Sequence, residues 1–121
     1  MNNKVLVIED ERDIRESLKT ILELSDFFPE VAVNGEDGID KISTFQPDII
    51  LCDVMMPVMD GFTFLAKIRK EGIDIPLIFL TAKAQHTDLK TGMSLGAHDY
   101  LFKPFKSVDL LKAINKALNN E

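Results

Sequence analysis

Three carboxylates, one hydroxyl and one ammonium group stand in this chain where they could do chemistry together. Glu9 and Asp10 follow Val5-Leu6-Val7-Ile8, and Asp53 follows Ile49-Ile50-Leu51-Cys52. Thr81 follows Leu77-Ile78-Phe79-Leu80, and Lys103 follows Asp99-Tyr100-Leu101-Phe102. Gathered into one crevice, the carboxylates outnumber the ammonium, and the pocket invites a divalent cation. Hard oxygen donors with no His or Cys beside them select Mg²⁺ or Mn²⁺ rather than zinc. A carboxylate can also be a nucleophile and form an aspartyl phosphate. Phosphoryl transfer asks more for positioning and charge neutralisation than for acid–base chemistry. Asp53 is therefore the expected phosphoacceptor. Glu9, Asp10 and Asp53 are the expected metal ligands, with the backbone carbonyl of Met55 as a further one. Thr81, Ala82 and Lys103 are the expected contacts to phosphoryl oxygens. His86 and His98 fall near loop or helix ends and read as surface residues.

Taken singly, each group has an ordinary structural explanation: Asp and Thr cap helices, and Lys is usually solvated. The elements before them give the set its weight. The runs before Glu9, Asp53 and Thr81 are apolar and too short for a helix, as in strands covered on both faces of a parallel sheet, and Asp99-Tyr100-Leu101-Phe102 reads as a further strand. Glu30-Val31-Ala32-Val33 reads as a shorter strand towards a sheet edge. Between these runs lie helical stripes: Ile14, Leu18, Ile21 and Leu22; then Gly38, Ile39, Ile42 and Phe45; then Phe64, Leu65 and Ile68. Gly38 is costly inside a helix unless helix and sheet approach closely. Gly72 reads as the cap that ends the third helix. A fourth helix is expected over residues 85–95, but Thr87, Thr91 and Gly92 weaken it, which marks a candidate moving part. The last helix is expected to turn Val108, Leu111, Ile114 and Leu118 inward. Strand and helix thus alternate through the chain, which predicts an α/β fold with helices on both faces of a parallel sheet. In such sheets ligands bind outside the carboxyl ends of the strands, where the polar groups fall.

Composition narrows the classes. At 121 residues the chain fits one domain, residues 1–121. A formal net charge of −6 argues against a nucleic-acid surface. No apolar run approaches a membrane span, and the single cysteine, Cys52, excludes internal disulfides and favours a cytoplasmic address. Asn119-Asn120-Glu121 reads as a helix end rather than a linker, which favours a stand-alone protein over a piece of a longer one.

The chain resembles the receiver domain of two-component response regulators, of the single-domain type typified by the chemotaxis response regulator. The residues that carry the likeness are Val5-Leu6-Val7-Ile8-Glu9-Asp10-Glu11, Asp48-Ile49-Ile50-Leu51-Cys52-Asp53-Val54-Met55-Met56-Pro57, Met59-Asp60-Gly61, Leu80-Thr81-Ala82 and Gly96-Ala97-His98-Asp99-Tyr100-Leu101-Phe102-Lys103-Pro104-Phe105. The resemblance implies a flavodoxin-like doubly wound five-stranded parallel sheet with five helices and strand order 2-1-3-4-5, an order known for this family rather than read from these residues. It implies that Asp53 takes a phosphoryl group from a histidine kinase's phosphohistidine with Mg²⁺ bound. Output would leave through the face of helix 4, strand 5 and helix 5. The domain would be a regulatory phosphoacceptor, catalysing only its own phosphorylation and dephosphorylation, and a monomer or weak phosphorylation-linked dimer. The resemblance also implies a cis bond before Pro104. Met55 and Lys83 fall where the family varies and flank the phosphoryl site.

Thr81 and Tyr100 are the expected switch. Tyr100 lies three residues before Lys103, so in a strand the two point to opposite faces. Drawing Thr81 towards a phosphoryl group would open space for the Tyr100 ring. Rival readings fare less well. A haloacid-dehalogenase-type phosphatase carries a second Asp two residues after its nucleophile, where this chain has Met55. A flavodoxin-like electron carrier needs a Ser/Thr/Gly-rich phosphate loop where this chain has Glu9-Asp10-Glu11. An interaction module that no longer takes phosphate would have no need of the complete set of site residues.

Overall fold

The buried apolar runs are strands, because their Val, Ile and Leu side chains suit a sheet covered on both faces. The computed structural model describes residues 3–82, 90 and 92–119. In it β1 (Lys4–Ile8), β3 (Ile49–Asp53) and β4 (Leu77–Thr81) form the centre of a sheet, and all residues of β3 and β4 are buried. Around them lie α1 (Arg12–Leu24), β2 (Phe28–Ala32), α2 (Gly35–Phe45), α3 (Gly61–Lys70), β5 (Asp99–Phe102) and a C-terminal helix (Ser107–Asn119). The sheet order is β2-β1-β3-β4-β5, and every pairing is parallel. All five strands therefore leave the core at one edge. Of the helix expected over residues 85–95, Lys90 and residues 92–94 are helical. Residues 83–89 and 91, with Lys83 and His86 among them, lie outside the described residues.

Alternation along the strands divides the core in two. Leu6, Ile8, Ile50, Cys52, Leu77 and Phe79 point to the side of α2 and α3. Val5, Val7, Ile49, Leu51, Ile78 and Leu80 point to the side of α1 and the C-terminal helix. The Gly38 position is explained by contact: a Cβ there would lie 2.5 Å from Ile8 Cδ1 and 3.2 Å from Phe64 Cε1. Gly72, at φ +82°, closes α3. Its N–H donates to Arg69 O and the Ile73 N–H to Ile68 O, the paired bonds of a left-handed helix stop.

Two expectations need correction. β2 begins at Phe28 and ends at Ala32, leaving Val33 46% exposed, rather than covering residues 30–33. Pro29 reads as a breaker, but an edge strand can hold proline where the missing N–H costs no ladder bond. The C-terminal helix buries Leu110, Ala113, Ile114 and Ala117, while Val108 is 55% exposed and Leu111 and Leu118 lie at the margin of the buried stripe. Small alanines at the centre of the stripe let the helix lie close to the sheet, which a search for large side chains overlooks.

Candidate functional site

The sheet's carboxyl edge brings the predicted groups together because the parallel ladder runs past each strand end. Glu9 N–H donates to Ala32 O at 3.1 Å, Val54 N–H to Leu80 O at 3.2 Å, and Lys103 N–H to Thr81 O at 2.7 Å. Asp53, the last residue of β3, is in register with Leu80, and Thr81 with Phe102. Glu9, Asp53 and Thr81 are buried, whereas Asp10 and Ala82 are exposed. One carboxylate oxygen from each of Glu9, Asp10 and Asp53 falls within a set whose members are all within 4.8 Å of one another. Three hard oxygen donors this close, one of them open to solvent, fit an octahedral ion that keeps several waters.

Lys103 bridges the two buried carboxylates. Its Nζ lies 2.9 Å from Glu9 Oε1 and 3.3 Å from Asp53 Oδ2. Burial pulls the ammonium pKa down, but the Glu9 hydrogen bond and the charges of Asp53 and Glu9 outweigh it, so the net shift is upward from the ordinary value of 10.5. The remaining oxygens accept from backbone: Glu9 Oε2 from Glu11 N–H at 3.1 Å, and Asp53 Oδ1 from Met55 N–H at 3.3 Å. The Lys103–Pro104 peptide bond is cis. Cys52, fully buried beside Asp53, has its thiol pKa raised by desolvation and by the neighbouring Asp53 and Glu9 charges. It is a core residue with its thiol held protonated.

Tyr100 packs on the α3 side, its ring centroid 5.3 Å from that of Phe79. Lys103 reaches the carboxylates, so the two side chains serve different regions. His98 is exposed, as a surface histidine should be.

Two positioning roles are not legible in the sequence. Arg15, one turn into α1, donates from Nη1 to Glu9 O at 2.9 Å and to Asp10 O at 3.3 Å, fixing the loop that carries both acids. An arginine six residues after an acidic pair is common on any helix, so it carries no signal of its own. Gly61, legible only as part of a turn, packs against the end of β3 at Asp53. A Cβ there would lie 2.5 Å from Asp53 O, 2.9 Å from Phe79 Cε1 and 3.0 Å from Val54 Cα. Its N–H donates to Val54 O at 2.8 Å, and Asp60, before it, caps α3 by accepting from Thr63 N–H at 2.8 Å. Beside the site, a groove of about 490 Å³ runs between α1 and the Lys103-Pro104-Phe105 turn, lined by Ile14, Leu18 and Ile21 among others.

The family model for the response regulator receiver domain matches residues 5–115. The transcriptional regulatory protein DltR of Streptococcus agalactiae (serotype III, strain NEM316) is 40% identical over 111 residues, 92% of this chain and 50% of that protein. Response regulator MprA of Mycobacterium bovis (strain BCG / Pasteur 1173P2) is 36% identical over 118 residues, 98% of this chain and 51% of that protein. The chain thus spans about half the length of these curated relatives. Among solved structures, the receiver domain of Francisella response regulator 1452 superposes with a TM-score of 0.92 at 34% identity, covering 98% of each chain. The chemotaxis protein CheY4 of Vibrio cholerae gives 0.92 at 31% identity, over 98% of this chain and 100% of that one. With the matched span running from the second residue of β1 through β5, and the acidic cluster at the sheet's carboxyl edge, this chain belongs to the response regulator receiver domains of two-component systems.

Proposed function

We propose that Asp53 accepts a phosphoryl group from the phosphohistidine of a sensor histidine kinase or phosphotransfer protein. The observation that carries this reading is the Lys103 ammonium held between Glu9 and Asp53, at 2.9 and 3.3 Å, with Asp10 alongside. In the transfer a carboxylate oxygen of Asp53 forms the new P–O bond as the P–N bond to the donor imidazole breaks. The departing electron pair stays on that ring nitrogen. Lys103 and Thr81, with the backbone at Ala82, contact the phosphoryl oxygens. Glu9, Asp10 and Asp53, joined by the Met55 carbonyl, hold Mg²⁺, or Mn²⁺ in its place. The ion supplies charge neutralisation for the phosphoryl oxygens.

The apolar groove beside Lys103 gives a protein donor a surface to rest on while its phosphohistidine reaches Asp53. Thr81 and Tyr100 then carry the change towards the face formed by the fourth helix, of which Lys90 and residues 92–94 are described, β5 and the C-terminal helix, where an unidentified protein target reads it. The reading makes the domain a cytoplasmic switch that acts on its own phosphorylation state, not on a separate substrate. No helix among the described residues is long and apolar enough to cross a membrane.

Intact mass after incubation with a small phosphodonor and Mg²⁺ tests the assignment. The expected outcome is one added phosphoryl group, labile to base, absent from Asp53→Asn. Undiminished labelling of the Asn variant sinks it.

A further inference from the structure

We propose that Gly92 is the positioning residue for Tyr100, its missing Cβ being the space that the inward-turned ring occupies. A Cβ at position 92 would lie 1.7 Å from the Tyr100 hydroxyl oxygen and 2.8 Å from ring carbon Cζ, and 3.0 Å from Phe62 Cε1. No real Cβ tolerates the first two separations. The ring also packs on Phe79, at 5.3 Å between centroids, and Phe62 meets Phe79 edge-on at 5.1 Å. Tyr100 thus meets both the Phe79 ring and the bare backbone of Gly92.

The backbone at 92 is held where it is. Gly92 O accepts from the N–H groups of Leu95 at 3.2 Å and Ala97 at 3.1 Å, and Gly96 N–H donates to Met93 O at 3.1 Å. Gly96 takes φ +101°, so this helix ends in the same left-handed stop as α3. Arg69 pins the stop from α3: Nη2 donates to Gly96 O at 3.1 Å while Nη1 donates to Ile73 O at 2.8 Å. Faced with a methyl group at 92, the helix end is held by these bonds, and swinging the Tyr100 side chain about its Cα–Cβ bond is the displacement that clears the hydroxyl. Gly92 therefore sets how far inward Tyr100 can go. The steric claim stands without phosphorylation. Its consequence for signalling rests on the Thr81–Tyr100 coupling proposed above.

An ordinary structural reading makes the opposite prediction. Replacing a helical glycine by alanine favours the helix, so Gly92→Ala would stabilise the protein and leave Tyr100 alone. The chain has one tyrosine and no tryptophan, so its intrinsic emission reports Tyr100 without background. Acrylamide quenching of the full chain is the test. Gly92→Ala should shift the quenching constant from the wild-type value towards that of the urea-unfolded chain. A constant equal to wild type overturns the proposal. Stability supplies a second readout through a double-mutant cycle. With Tyr100→Ala the obstacle is gone, and Gly92→Ala should raise the urea midpoint; with Tyr100 present it should fail to raise it. The same midpoint gain in both backgrounds also overturns the proposal. Should Gly92→Ala not fold, the Gly92→Ala/Tyr100→Ala protein decides: it folds if the ring is the obstacle, and its failure to fold rejects the idea. A wild-type Tyr100 signal that ignores a beryllofluoride phosphate mimic would count against the switch reading alone, because the Gly92 quenching result is taken without phosphate.

Discussion

One ammonium decides the charge balance around Asp53. Glu9 is fully buried and Asp53 nearly so, and both carboxylates share the Lys103 Nζ. Breaking such a set by removing one partner strands the others, a loss of about 3 kcal/mol by comparison with buried ion pairs. Lys103→Met should lower stability by that order in metal-free buffer, with added Mg²⁺ restoring part of it; urea melts with and without the ion measure both. The pH dependence has a definite sign. Because the folded-state pKa of Lys103 lies above 10.5, its contribution is complete below that value and disappears as pH rises through the raised one. The stability gap between wild type and Lys103→Met should therefore hold at neutral pH and close only in strong alkali. Asp10 behaves differently: it stands within 4.8 Å of the buried Glu9 and Asp53 oxygens, but its own carboxylate is exposed and stays hydrated. Asp10→Asn should keep the fold and lose the Mg²⁺-induced rise in melting temperature. An equal rise in the variant would remove Asp10 from the ligand set.

Among the elements, the junction of β3 and α3 places Asp53, the proposed nucleophile. The Gly61 N–H bond to Val54 O draws the start of α3 against the strand end, and the missing Cβ permits the approach to Asp53 O. Two of the three nearest atoms are backbone, so no rotamer change relieves the contact. Gly61→Ala should therefore cost about 2 kcal/mol, the order of a core overpacking change, although alanine is the better helix former. Phosphorylation by a small donor should slow as well, because the displaced atoms belong to the strand that ends in Asp53. Urea melts paired with a time course of mass gain check this. Full stability with unchanged kinetics would show that the junction gives way freely.

For the molecule as a whole, the proposed function requires that a charge added at Asp53 be felt at the far side of β5. Thr81 ends β4 next to that site, and β4 also carries Phe79, on which Tyr100 rests. Binding shifts a conformational equilibrium only by its differential interaction with the two states. One hydrogen bond from the Thr81 hydroxyl to a charged phosphoryl group is worth about 1.5–3 kcal/mol. A population shift of about ten- to a hundred-fold follows, with both Tyr100 environments measurable in the free protein. Ring NMR signals of Tyr100 should change on adding beryllofluoride to wild type and change much less in Thr81→Ala. Equal responses in the two proteins would rule out transmission through Thr81.

The local sequence settled what repeats along the chain. Three apolar runs, each closed by a polar group, are strands because few other structures bury such short apolar segments, and the mixed run 99–102 is β5 as read, partly rather than fully covered. The polar groups at the run ends follow from the same pattern, so Glu9, Asp10, Asp53, Thr81 and Lys103 could be picked out before any fold was known. Other features depend on atoms distant in sequence. Pro29 is tolerated because β2 lies at an edge, and Ala113 and Ala117 face inward because the helix lies close to the sheet. Gly38, Gly61 and Gly92 look alike in sequence. Their roles differ because a Cβ would strike Ile8, the Asp53 carbonyl and the Tyr100 hydroxyl respectively. Lys103 and Glu9 are separated by 94 residues and meet at 2.9 Å. Periodicity can say that both stand at strand ends, but only the parallel pairing of β4 with β5 and of β3 with β1 carries the ammonium across the sheet to the carboxylate.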